Sequence, residues 1–157
     1  MPKSLERIEK TIKKIDLLTD PSSKQYGRLL NWKSSHDPFW HYGIGLSDVY
    51  IFDTGKGLRP FKKKRAKFVI GINSIAFQPD VTIERLKHAL YVFANWKYTT
   101  SGWNCEHLGR LIATDKPRCY QSRSVWWLCN LTPKGDHKTA RKIFRNHLKK
   151  VEPKLVR

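Results

Sequence analysis

Hydrophobic positions recur every three or four residues towards both ends of this chain and alternate with polar ones in its middle. Near the N-terminus Leu5, Ile8, Ile12, Ile15, Leu17 and Leu18 fall among lysines, which predicts a helix over residues 4–18. Residues 28–33 and 67–72 read as strands, and residues 41–55 as two short strands around a polar turn at Ser47-Asp48, a hairpin. A helix is expected over 82–95. A shorter one carries Leu108, Leu111, Ile112 and Ala113 over 106–113, with Asn104 as N-cap, Cys105 in its first turn and a break at Thr114-Asp115-Lys116-Pro117. Ala140, Ile143, Phe144, His147 and Leu148 describe a last amphipathic helix, ended by Pro153. Antiparallel strands grouped together with helices packed to one side make an α+β domain.

The chain has 157 residues, enough for one domain. Within it we read an N-terminal helical region (1–20), a core (26–131) and a basic C-terminal helix (132–157). A hydrophobic content of 39%, with 12% aromatic residues, excludes disorder as a whole-chain reading. The longest apolar run, Val125-Trp126-Trp127-Leu128-Cys129, is too short for a bilayer and reads as a buried or edge strand. The charged N-terminus does not resemble a secretory signal. Three cysteines without a close-spaced pair argue against a disulfide framework and a Cys-x-x-Cys zinc site, so a reduced, cytoplasmic setting is expected, with no metal or cofactor.

Charge adds a second theme. The formal net charge is +18, concentrated in Lys62-Lys63-Lys64-Arg65 and in the stretch from Lys134 to Arg157. Such a surface attracts polyanions, whether acidic lipid headgroups or nucleic acid. No zinc finger, helix-turn-helix or RNA-recognition sequence adds specificity, so a nucleic-acid partner would rest on electrostatics and exposed aromatics only.

The candidate chemistry centres on Cys105. A helix N-terminus presents unpaired N–H groups and a partial positive charge, which favour thiolate over thiol. A nucleophilic thiol also needs a base and a group to orient that base. His41 and Asp53 occupy the two arms of the predicted hairpin. With the turn centred on Ser47, positions summing to 94 face each other, which sets Asp53 directly across from His41; a two-residue turn would put it on the wrong face. The plainer readings are a solvated strand residue for Asp53, a packing residue for His107 and small buried hydrophobes for Cys119 and Cys129.

His41-Tyr42-Gly43-Ile44, the polar Asp53 twelve positions on, and Asn104-Cys105-Glu106-His107 after an intervening helix resemble the motifs of the lecithin:retinol acyltransferase family. The resemblance runs over about residues 26–122. It includes Trp96 and Tyr98 before the cysteine, and Lys116-Pro117-Arg118 followed by Gln121 after it. It implies a circularly permuted papain-like fold of the NlpC type, with Cys105 as nucleophile, His41 as general base and Asp53 where many members carry a second histidine. It also implies acyl transfer or hydrolysis through a thioester, with a phospholipid or similar acyl ester as donor. The hydrophobic C-terminal anchor of several members is not in this sequence, so any membrane contact is expected to be peripheral, at an anionic surface. The alternatives are a cysteine peptidase or amidase of the same permuted type, and a non-catalytic basic module for anionic lipid or nucleic acid. Oligomeric state is not legible.

Overall fold

Local sequence dictates where the elements begin. In the computed structural model, which describes residues 3–33, 39–61, 66–70, 75–96, 103–120 and 137–156, helix α1 spans Lys3–Leu18. Ile15 is its fully buried anchor, while Leu17 on the opposite side is 83% exposed. Five strands follow: β1 (Leu29–Lys33), β2 (Trp40–Gly45), β3 (Tyr50–Asp53), β4 (Gly57–Pro60) and β5 (Ala66–Phe68). Helix α2 (Pro79–Val92) starts with proline at its first position, where the missing N–H costs nothing and the fixed φ suits a helix. Helix α3 is Cys105–Thr114, helix α4 is His137–Val151, and a short 3-10 turn closes over Pro153–Leu155. The predicted apolar strand at 125–129, the basic block at 62–65, Tyr98, Gln121 and Cys129 lie outside the described residues.

The strands form one antiparallel sheet in the order β4-β3-β2-β1-β5. The α+β class with helices on an antiparallel sheet is therefore as expected. Strand β4 was not foreseen. It forms because Gly57, at φ +85°, turns the chain back after β3 in a conformation that side-chain-bearing residues rarely adopt. As an edge strand it accommodates Pro60, which has no N–H to offer a ladder.

The hairpin register corrects one expectation. Asp53 pairs with Gly43, Phe52 with Ile44 and Ile51 with Gly45, so His41 and Asp53 are offset by two positions instead of directly opposed. The cause is the turn. The N–H groups of Leu46 and Ser47 both donate to the Tyr50 carbonyl, and the Ser47 hydroxyl accepts from Tyr50 N, which centres the turn on Asp48. A centre moved by one residue shifts every partner by two and leaves each side chain on its own face.

One sheet face carries the cross-strand neighbours Leu29, Ile44 and Phe52, all buried. Helix α3 lies close against it, because Gly109 has no Cβ; one placed there would stand 2.8 Å from Leu29 Cδ1. Leu108, Leu111 and Ile112 join the same core with Ile83, Leu86 and Ala89 of α2. From α4, Ala140, Phe144 and Leu148 enter it at four-residue spacing, whereas Ile143, expected on that face, is 42% exposed.

The C-terminal end of α3 is held by a fully buried arginine. Arg85 donates to the carbonyls of Leu111 (2.7 Å), Ile112 (2.7 Å) and Leu155 (2.6 Å), and pairs with Asp115 at 3.2 Å. Its guanidinium also lies 4.2 Å from the Phe77 ring centroid. Asp115 caps α3 in the left-handed conformation (φ 62°) and accepts as well from Arg141 and Arg145 of α4. One guanidinium thus satisfies the carbonyls that helix ends leave unpaired and ties α2, α3 and the chain after α4 together.

Candidate active site

Asn104 caps α3 as its sequence suggests. With extended backbone angles, its side-chain oxygen accepts from Glu106 N (3.0 Å) and His107 N (3.2 Å). Cys105 is consequently the first helical residue, and its position relative to the sheet is fixed by Thr54. The Thr54 hydroxyl lies 2.7 Å from the Cys105 carbonyl oxygen and 2.8 Å from that of Tyr42, and Thr54 N donates to the same Tyr42 carbonyl at 3.0 Å. These bonds pin the first turn of α3 to β2 where β3 ends.

Pinned there, the Cys105 sulfur meets two backbone N–H groups, those of Tyr42 and Glu106. Tyr42 N belongs to the peptide that joins it to His41, the candidate base, which is thus the neighbour in sequence of a residue that touches the thiol. The half-buried His41 ring stacks on Trp32 across the β1–β2 pair, with centroids 5.9 Å apart and planes inclined by 23°.

Asp53 reaches the thiol side as well. A Cβ built on Gly55 would stand 3.4 Å from Asp53 Oδ1 and 3.6 Å from Cys105 Cβ, which bounds the separation of those two atoms at about 7 Å. The carboxylate is not bonded to His41. Its Oδ1 accepts from Gly55 N (2.8 Å) and Lys56 N (3.0 Å), and its Oδ2 pairs with Arg59 of β4 (3.2 Å). Asp53 is fully buried, which excludes the solvated-strand reading.

The expected acidic thiol is not found. Burial pushes Cys105 up to about 11, the Asp53 carboxylate adds to the shift, and the N–H groups of Tyr42 and Glu106 oppose it only in part. At neutral pH the resting group is a thiol.

Beside Cys105 lies a polar cluster that sequence reasoning passed over. Glu106, fully buried, accepts from Arg110 Nε (2.8 Å) and from the Cys119 thiol (3.3 Å), while Asn104 Nδ2 donates to the Cys119 sulfur (3.3 Å). Burial and the Glu106 charge lift the Tyr42 phenol to about 12. Cys119, taken as a plain buried hydrophobe, is thus tied to the cap and to the residue after Cys105. Arg110 follows Glu106 by one helical turn, the pairing signal the sequence offered for this cluster. His107 packs as expected, stacked between Trp103 and His137 with centroids 6.1 and 5.4 Å away. Burial and the neighbouring His137 drop it to about 4, so it is neutral, and its Nδ1 has no hydrogen-bond partner among the described residues.

Among the described residues no group of three histidine, cysteine or carboxylate side chains converges as a metal site, and no helix is long and apolar enough to cross a membrane. No protein-family profile, curated protein or solved structure matches this chain. The reading of the site therefore rests on its own geometry and on the motifs of the sequence.

Proposed function

We propose that the protein is a thiol enzyme of acyl transfer or ester hydrolysis, with Cys105 as nucleophile, His41 as general base and Asp53 as a positioning carboxylate, on a circularly permuted papain-like variant of the α+β fold. The observation that carries the reading is the first residue of a capped helix held against the strand that bears His41, by way of Thr54 and the Tyr42 N–H.

In this mechanism the His41 ring leaves its stack on Trp32 and takes the Cys105 proton as the sulfur attacks an ester carbonyl. Because the thiol is protonated at rest, proton transfer and attack are coupled. A new S–C bond forms, the ester C–O bond breaks, and the proton on His41 goes to the departing alkoxide. The thioester then passes its acyl group to an amine, an alcohol or water. The Cys105 N–H, which has no intrahelical acceptor at the first helical position, is aimed where the oxyanion develops. Asp53 acts through the turn it organises and through its field. The basic surface favours an acyl donor at an anionic lipid surface, hence a phospholipid.

Incubation with phospholipid ester should add one acyl mass to wild-type Cys105, seen by intact-protein mass spectrometry, and none to Cys105→Ala; His41→Ala should slow acylation by at least 100-fold, in line with the ~10²–10⁴ of general base catalysis. An unmodified wild-type protein with every ester tried overturns the ester reading. Acylation by amide substrates alone assigns the chain to the peptidase or amidase alternative. The raised thiol pKa favours a second reading, a non-catalytic basic module for anionic lipid or nucleic acid, in which Cys105 is a packing residue. That module predicts salt-sensitive polyanion binding unchanged by Cys105→Ala.

A further inference from the structure

Helix α1 is docked along only part of its length. Ile15 is fully buried, and the neighbouring Asp16 pairs with Lys87 of α2 at 2.7 Å. Towards its N-terminus Ile8 is only half-buried, and between this part of α1, the β3–β4 turn and the end of α2 lies a cavity of about 700 Å³. That volume falls within the ~300–1,000 Å³ typical of small-molecule sites.

Its lining divides by chemistry. Ile8, Phe52 and Leu90 supply apolar walls, and Phe52 is buried, which places it at the floor. Arg7, Lys14 and Lys56 are exposed and so form the rim, two on α1 and one across from them on the β3–β4 turn. None of the three takes part in an ion pair among the described residues, although elsewhere Lys10, Lys87, Arg110 and Lys154 each find a carboxylate. Unpaired cations on both walls of an apolar cleft complement a ligand with one greasy tail and one anionic head.

We propose that this cavity binds a single-chain amphiphile with an anionic headgroup, the chain lying over Phe52 and Leu90 and the head between Arg7, Lys14 and Lys56. Binding does not require the thiol chemistry. It is nevertheless positioned to sense that chemistry, since Lys56 N bonds Asp53 and the adjacent Gly55 lies against Cys105.

The test is equilibrium binding of the fluorescent fatty acid cis-parinarate, below its micellar concentration, to the full chain and to a Cys105→Ala variant. Displacement by palmitate, by lysophosphatidate and by the uncharged monopalmitoylglycerol completes the set. Both proteins should bind one equivalent saturably, and both anions should displace it at least 10-fold more effectively than the glyceride. Whichever anion binds more tightly identifies the head as carboxylate or phosphate; either result supports the site. The triple variant Arg7→Glu, Lys14→Glu, Lys56→Glu should lose at least 10-fold in affinity for the anions. A control of equal charge change, Lys138→Glu, Lys142→Glu, Lys149→Glu on the exposed side of α4, should stay within 2-fold of wild type. Leu90→Trp, which fills the cavity, should weaken anion and glyceride alike, with circular dichroism reporting its folding. Equal losses in the two triple variants would reduce the effect to overall charge and overturn the proposal, as would unsaturable binding or equal affinity for the glyceride.

Discussion

Replacing Asp53 with asparagine separates the two effects this carboxylate has on Cys105, its field and its hold on the β3–β4 turn. The amide is nearly the same size and its oxygen can still accept from Gly55 N and Lys56 N, so the turn survives while the charge goes. The partner left behind, Arg59, is 44% exposed on its side chain and can turn to water. With the carboxylate within about 7 Å of Cys105 Cβ, an effective dielectric of ~20–40 gives an interaction of roughly 1–2.5 kcal/mol, or about one to two pK units. Neutralising Asp53 should therefore lower the thiol from about 11 by that much. Exchange with a small aromatic disulfide, followed at the Cys105 peptide by mass spectrometry, converts this into a rate. More thiolate raises the rate at pH 8, and the lower basicity of that thiolate takes back nearly half of the logarithmic gain, leaving a net acceleration of roughly 3- to 12-fold. The same variant should lose acyl-transfer activity, since the turn's charge is gone when His41 becomes an imidazolium. If Asp53→Asn exchanges at the wild-type rate or slower, with unchanged circular dichroism, the carboxylate is not what raises the thiol, and the placement of charge in this site is wrong.

Three further outcomes follow from the same packing. Asn104→Ala removes the acceptor for Glu106 N and His107 N and should cost about 1 kcal/mol, read as a fall of roughly 2–4 °C in melting temperature for a chain of this size. Arg85→Met leaves three buried carbonyls without their donor and should destabilise by about 3–5 kcal/mol in urea unfolding; a loss below 1 kcal/mol would mean that water replaces the guanidinium. His107 is held near 4 against an ordinary 6.5, so between those values the unfolded chain binds a proton that the folded one refuses. Its contribution is present above pH 6.5 and is lost as pH falls towards 4, by up to about 3 kcal/mol. His107→Phe, which keeps the stack between Trp103 and His137, should flatten that part of the stability-pH curve, and an unchanged slope would assign the acid sensitivity elsewhere.

What the sequence made legible was local. Asn104 and Cys105 are adjacent, and capping needs only the next three residues, so the start of α3 was readable to the residue. Helix α4 was legible because Ala140, Phe144 and Leu148 share one face. The hairpin was half legible: alternation located its arms, but a turn centre one residue away moved Asp53 from His41 to Gly43. The contacts that shape the site are long-range. Thr54 meets Cys105 across 51 positions, and Arg85 meets Leu155 across 70. Neither residue carries a pattern that names its partner. The thiol's basicity was also out of reach, because burial and a carboxylate from another element outweigh the helix terminus that the sequence displays.

Both ends of α3 are fastened, by Asn104 and Thr54 at the first turn and by Arg85 and Asp115 at the last. A helix clamped at both ends cannot tilt or slide to admit a ligand, so whatever approaches Cys105 must be accommodated by its surroundings. On the β3–β4 turn beside the thiol, Gly55 and Lys56 are exposed and are held to the sheet through the Asp53 carboxylate alone among the described side chains. Shape changes on binding should therefore appear in amide exchange at residues 55–58 while Thr54 and residues 105–114 stay protected, making the nucleophile a fixed reference against which a moving wall opens and shuts.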